Sequence, residues 1–174
     1  IYGLHAVAAD AAAIEKLVRI KGRDADKPFV VLAASLAQIE ALRPDIDDSV
    51  KRVLQELWPG PLTAIVAIDE PLAASRGART IAVRVPDLDW LRDLVARTGP
   101  LASTSVNRSG ELPISSPQEL SSDLQNSIDA IYDAGRLEGK PSTIVDFTGG
   151  APRVVRDGDA FFTQKVWKTL RKSL

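Results

Sequence analysis

The stretch Ile20-Lys21-Gly22-Arg23-Asp24-Ala25-Asp26-Lys27-Pro28 constrains the fold most, because it has to join a helix to a strand. Before it, Ala11 to Ile20 places Ile14, Leu17, Val18 and Ile20 at helical spacing, with Asp10 as N-cap and Gly22 where a left-handed residue ends a helix. After it, Phe29-Val30-Val31-Leu32 is short, apolar and largely β-branched, which predicts a buried strand. Lys21, Arg23 and Lys27 therefore stand on a connection pinned at both ends, able to present a guanidinium fork and two ammonium groups to phosphates. A solvated loop in which Asp24 and Asp26 pair with these cations is the competing reading, and this stretch alone leaves both open.

The rest of the chain continues in short elements. Tyr2-Gly3-Leu4-His5 reads as a strand tail or tight turn. Ser35 caps a short helix ending at Arg43-Pro44, and a longer helix from about Asp47 to Trp58 carries the stripe Val50, Val53, Leu54, Leu57 before Pro59-Gly60-Pro61 breaks it. Strands are expected over 62–68, 80–85, 128–132, 141–147 and 153–156. A helix over 87–98 faces Trp90, Leu91, Leu94 and Val95 inward, Ser115 to Leu120 reads as an N-capped helix start, and 165–174 as a closing basic amphipathic helix. With 174 residues, 45% apolar and 26% charged, the chain suits one soluble domain over 1–174. No apolar run approaches the roughly 20 residues of a membrane helix, and no secretory signal is visible. The absence of cysteine fits a reducing cytoplasm and removes disulfides and thiolate metal sites. A net charge of −1 leaves polyanion binding to a local patch, and the lack of methionine suggests that residues preceded Ile1.

Two features stand out. Arg84 lies inside the apolar run Thr80 to Val85, where a cation needs an anion; an aspartate and a bound ligand are both open as partners. Pro100-Leu101-Ala102-Ser103-Thr104-Ser105-Val106-Asn107-Arg108-Ser109-Gly110 begins apolar and ends in hydrogen-bonding groups, with Ser103, Ser105 and Asn107 on one face if it is a strand, or a simple turn cluster if not. There is no G-x-x-x-x-G-K-[ST] loop, no G-x-G-x-x-G fingerprint and no G-x-S-x-G elbow, and a single histidine, His5, with no cysteine supplies too few transition-metal ligands. Dispersed cations and hydroxyls remain, a set suited to positioning and charge neutralisation, with no acid–base pair identified.

Tyr2-Gly3-Leu4, Lys21-Gly22-Arg23 with Lys27-Pro28, Trp58-Pro59-Gly60-Pro61-Leu62-Thr63, Thr80 to Pro86, Ser105 to Gly110, Ser142 to Asp146 and Pro152 to Arg156, in that order, resemble the YrdC/Sua5 family over nearly the whole chain. The resemblance implies an α/β fold, a twisted mixed sheet with flanking helices and a basic concave face. It implies a threonylcarbamoyl-AMP synthase, a nucleotidyltransferase that converts L-threonine, bicarbonate and ATP to threonylcarbamoyl-adenylate and pyrophosphate, the first step toward N6-threonylcarbamoyladenosine in tRNA. On family positions, Lys21, Arg23, Lys27, Thr80, Asn107, Ser115 and Arg156 would contact ATP, and Arg84, Ser105 and Ser142 would hold threonine. Magnesium is expected with the ATP, with no metal ligand from protein side chains, and a downstream tRNA threonylcarbamoyl-transfer machinery as partner. The family's P-T-[DE]-T lead-in is absent before Ile1, His5 replaces a glycine and Val106 a common alanine. The length resembles the short, single-domain members. A non-catalytic module for double-stranded RNA or tRNA is the competing class, distinguished by steep salt dependence and indifference to threonine. The related domain of hydrogenase-maturation carbamoyltransferases stands behind it.

Overall fold

The computed structural model describes residues 1–107 and 111–173; Arg108, Ser109 and Gly110 of the second key stretch, and Leu174 of the closing helix, lie outside the described residues. The chain opens with strand β1 (Gly3–Val7) and helix α1 (Ala11–Lys21). Asp10 caps α1 by accepting from Ala13 N, and Gly22 ends it at φ 59°, in the left-handed region that a residue without Cβ enters freely. Then come β2 (Val30–Leu32), α2 (Leu36–Glu40) capped by Ser35, the two-residue β3 (Pro44–Asp45) and α3 (Asp48–Leu57) capped by Asp47. Strands β4 (Leu62–Ile68) and β5 (Thr80–Arg84), helix α4 (Asp89–Thr98) and strand β6 (Leu101–Ser105) follow. Helix α5 (Ser122–Ser127), strands β7 (Thr143–Asp146) and β8 (Arg153–Arg156) and helix α6 (Ala160–Ser173) complete the order.

The strands form one mixed sheet in the order β1-β6-β2-β5-β4-β7-β8, with β3 on β4. Paired residues point to the same side of a sheet, so the register sorts the side chains into two faces. His5 pairs with Ser103, Ser103 with Val30, Val30 with Ala82, Ala82 with Ile65 and Ile65 with Asp146, while Ile144 pairs with Arg156. Alternation from those pairs puts Ser103, Ser105, Thr80, Arg84, Thr63 and Arg156 on one side. Leu4, Val31, Ile81, Val83, Ala64, Val66 and Val145 point the other way, into a core closed by Ile14 and Leu17 of α1, Val53 and Leu54 of α3, and Val166 and Leu170 of α6. On the polar side α4 contributes a second buried cluster, Leu91 and Val95 against Leu32 and Leu101.

Four expectations change. Ser115 to Leu120 holds only a single 3-10 turn, Pro117–Glu119, with no capping bond from Ser116; Leu120 is extended, and Ser121 caps the helix that does form. Residues 128–132 form no strand, because Ile128 packs on the core edge and Tyr132 stacks on Trp90 with ring centroids 4.0 Å apart. Leu94 is exposed, since α4 lays only its Leu91–Val95 edge on the sheet. The last helix starts earlier than expected, at Ala160, where Asp159 accepts from Phe162 N; Lys165, Lys168, Arg171 and Lys172 are its solvated face.

Candidate functional site

The polar face carries two groups of side chains. The first forms where α1 ends beside the end of β6. Gly22 stops the helix one residue after Lys21, so the Lys21 side chain turns to the strand end and is buried, 6% exposed. Its ammonium donates to Ser105 O at 2.6 Å, to Ser105 Oγ at 3.2 Å and to Asn107 Oδ1; the Ser105 hydroxyl also donates to Asn107 Oδ1 at 2.6 Å. Asn107 Nδ2 in turn donates to Glu111 O at 2.5 Å. Burial, and then the nearby Arg23 guanidinium, pull the Lys21 pKa down to about 8, against an opposing pull from Glu111.

Arg23 lies over the Phe29 ring, 4.5 Å from its centroid, and donates through Nη2 to Pro28 O at 3.0 Å. Its Nε is buried with no hydrogen-bond partner among the described residues, and burial lowers its pKa. Lys27 is exposed, and among the described residues neither Asp24 nor Asp26 comes within ion-pair distance of Lys21, Arg23 or Lys27, although the Asp24 charge still acts to raise the Arg23 pKa.

The second group sits across the sheet, where β4, β5, β7 and β8 meet. Arg84 is half-buried and donates through Nε to Gly60 O at 3.1 Å. Arg156 donates through Nε and Nη2 to Ser142 O at 3.0 and 2.9 Å and through Nη2 to Ser142 Oγ at 3.1 Å. Burial, and for Arg84 also the charge of Arg156, lower the pKa of each, yet a guanidinium stays charged throughout the physiological range. Among the described residues neither arginine pairs with an acid, so the aspartate partner open for Arg84 is absent there. Two like charges on an open face without a counter-ion make a seat for an anion.

The candidates thus assemble as Lys21, Ser105 and Asn107 at the end of β6 on one side and Arg84, Ser142 and Arg156 across β5 to β8 on the other, with β2 between β6 and β5. Thr80 lies on the same face, half-buried, at the start of β5. Ser115 joins neither group; its hydroxyl donates to Glu119 Oε1 at 2.8 Å. His5 is exposed on β1, and no three acid or histidine side chains converge to hold a metal among the described residues.

Three residues in this architecture escaped the sequence reading. Gly60 donates its N–H to Val85 O at 2.9 Å and presents the carbonyl that holds Arg84; a Cβ there would stand 2.5 Å from Leu57 O. Thr63 is fully buried against Ser142, Oγ1 to Oγ at 2.7 Å. Gly158 lies against the backbone of Pro141, Ser142 and Thr143. The single glycine and threonine of the W-P-G-P-L-T stretch were the available signal for the first two.

These features define an α/β protein with a mixed sheet, one face of which carries cations and hydroxyls beside Val30, Ala82, Ile65 and Ile144. Residues 1–158 match the Sua5/YciO/YrdC family, described as "Telomere recombination". The chain belongs to that family. It is 33% identical over 162 residues to the "Threonylcarbamoyl-AMP synthase" of Pyrococcus abyssi, covering 91% of this chain and 48% of that protein. With the "Threonylcarbamoyl-AMP synthase" of Chromohalobacter salexigens it shares 34% identity over 155 residues, covering 86% and 83%. The structure described as "P. abyssi Sua5 complexed with L-threonine" superposes with a TM-score of 0.86 at 32% identity, over 95% of this chain and 51% of that one. The chain therefore spans about half the length of the Pyrococcus relative and most of the Chromohalobacter one.

Proposed function

We propose that this chain is a single YrdC-like domain with threonylcarbamoyl-AMP synthase activity. The observation that carries this reading is the Arg84–Arg156 pair beside the Ser142 hydroxyl, two cations that no acid pairs with among the described residues. The threonine carboxylate, held by Arg84 and Ser142, supplies the missing negative charge. Ser105 serves the amino acid from β6, and Lys21, Arg23, Lys27, Thr80, Asn107 and Ser115 serve ATP. Arg156, next to Arg84, stands where the amino-acid and nucleotide halves of the product join.

The threonine amine adds to carbon dioxide drawn from bicarbonate and loses a proton, giving a carbamate. A carbamate oxygen then attacks the α-phosphorus, and the bond to the β-phosphate oxygen breaks to release pyrophosphate. Lys21, Arg23 and Lys27 neutralise the charge that accumulates on the leaving group. Magnesium arrives with ATP, held by the phosphates. The polar sheet face serves as a basic concave surface, and the product passes to the tRNA threonylcarbamoyl-transfer machinery in the cytoplasm.

The test is pyrophosphate release from ATP and bicarbonate with and without L-threonine. Release that needs threonine and is lost in Arg84→Ala is expected. Threonine-independent behaviour of a folded chain would overturn the assignment, and strongly salt-dependent RNA binding would then favour the RNA-module reading.

A further inference from the structure

We infer that Thr63 is a positioning residue that sets the direction of the Ser142 hydroxyl proton, turning Ser142 into an obligate hydrogen-bond donor toward a carboxylate beside Arg84. This rests on the threonine reading above and deepens it.

The argument is one of proton counting. A serine or threonine hydroxyl has one hydrogen to give and two lone pairs to receive with. Thr63 is 0% exposed, and among the described residues its hydroxyl has a single partner, Ser142 Oγ at 2.7 Å. Were Ser142 the donor in that contact, the Thr63 hydrogen would be buried with no acceptor, a full desolvation loss. Thr63 therefore donates. Arg156, which has only donors, gives a second hydrogen to Ser142 Oγ from Nη2 at 3.1 Å. Both acceptor positions of Ser142 are then occupied, and its own hydrogen is left for a third direction.

The Ser142 carbonyl already receives two bonds from Arg156, and among the described residues no acceptor stands opposite the Ser142 hydrogen; the serine keeps 6% exposure, so that hydrogen is left for a group that arrives beside Arg156. A group placed there meets Arg84, Arg156 and a hydroxyl hydrogen, which are donors alone. An ionised carboxylate, which accepts and never donates, matches that set; an ammonium group does not. Thr63 touches no ligand in this arrangement, because Ser142 lies between.

The experiment measures L-threonine affinity by calorimetry, with thermal unfolding in parallel, for the full chain and variants. Thr63→Val keeps the shape and removes the donor, and is expected to weaken threonine binding about tenfold. Thr63→Ser restores the donor and is expected to bind like the wild type. In a Ser142→Ala background Thr63→Val is expected to add no further loss, because its effect passes through that serine. Thr63→Cys, a weak donor, reports the same loss should the valine variant not yield folded protein. Wild-type affinity in Thr63→Val, or an undiminished additional loss on top of Ser142→Ala, overturns the inference and leaves the threonine reading intact. A wild-type chain that binds no threonine overturns both.

Discussion

Replacing Gly158 by alanine tests how the fold positions Ser142 from behind. A Cβ on Gly158 would lie 2.6 Å from Pro141 O, 2.6 Å from Thr143 N and 2.9 Å from Ser142 C. All three are backbone atoms, so no side chain can swing aside to make room. Ordinary contact begins at 3.4 Å, and reaching it from 2.6 Å needs a separation of about 0.8 Å between the β8–α6 connection and the start of β7. The Gly158 N–H to Thr143 Oγ1 bond, 3.2 Å long, does not survive such a shift in the same direction. Overpacking of about 1–3 kcal/mol and a lost hydrogen bond of about 1 kcal/mol together give a destabilisation of about 2–4 kcal/mol. At this chain length that is roughly 5–15 °C in Tm. The moved backbone also carries Ser142, so kcat/KM for threonine is expected to fall on the order of tenfold or more. Urea unfolding and threonine-dependent pyrophosphate release give both readings. Gly150→Ala is the control, since a Cβ there meets nothing within 4 Å and its φ is ordinary. If Gly158→Ala unfolds within about 0.5 kcal/mol of the parent and keeps its threonine KM, the positioning argument is wrong.

Lys21 predicts a pH effect. With its pKa near 8, pyrophosphate release that depends on the ammonium is expected to decline as pH rises through about 8, and Lys21→Met is expected to be slow at every pH. Stability runs the opposite way: between about 8 and the ordinary lysine value of 10.5 the folded state binds fewer protons than the unfolded, so this group favours folding more as pH rises across that window, a slope that urea titrations should lose in Lys21→Met. Arg84→Lys is expected to resemble Arg84→Ala in threonine KM, because an ammonium cannot both hold Gly60 O and present a planar fork; recovery to within threefold, roughly, of wild type would contradict that. Trp58→Phe removes the indole N–H bond to Leu62 O, 2.8 Å and buried, and is expected to lower stability by about 1–2 kcal/mol in chemical denaturation.

Local rules carried much of the fold. Asp10, Gly22 and Ser35 cap or stop helices through bonds made within a few residues, which is why their roles were visible in the sequence; Asp47, read as the start of its helix, proves to be the cap before it. The segment 128–132 failed for the opposite reason. Its apolar and aromatic residues satisfy a strand pattern, but Tyr132 spends its ring on Trp90 of α4, and the Tyr2 hydroxyl holds the next turn by donating to Gly135 O at 2.5 Å and accepting from Ala134 N at 3.0 Å. Those partners are distant in sequence. The cations of the site were legible because charge beside apolar runs is conspicuous. Thr63 and Gly158 were not, since a threonine inside a strand and a glycine between aspartates are each unremarkable until the register places them against Ser142.

The same register explains how the chain tolerates its arginine pair. Holding Arg84 and Arg156 together with no acid paired to them among the described residues costs desolvation and repulsion, both of which act to lower the Arg84 pKa. A sheet buried equally on both faces would place that cost in the core. Here the helices α1, α3 and α6 close one face with its aliphatic residues, while α4 covers the other only at Leu32 and Leu101. Stability therefore comes from the closed face, and the less covered face is free to keep charges that no acid pairs with among the described residues. An anion that docks beside Arg84 removes the repulsion as well as forming its own bonds, so its binding free energy includes relief of a strain already present in the unliganded fold.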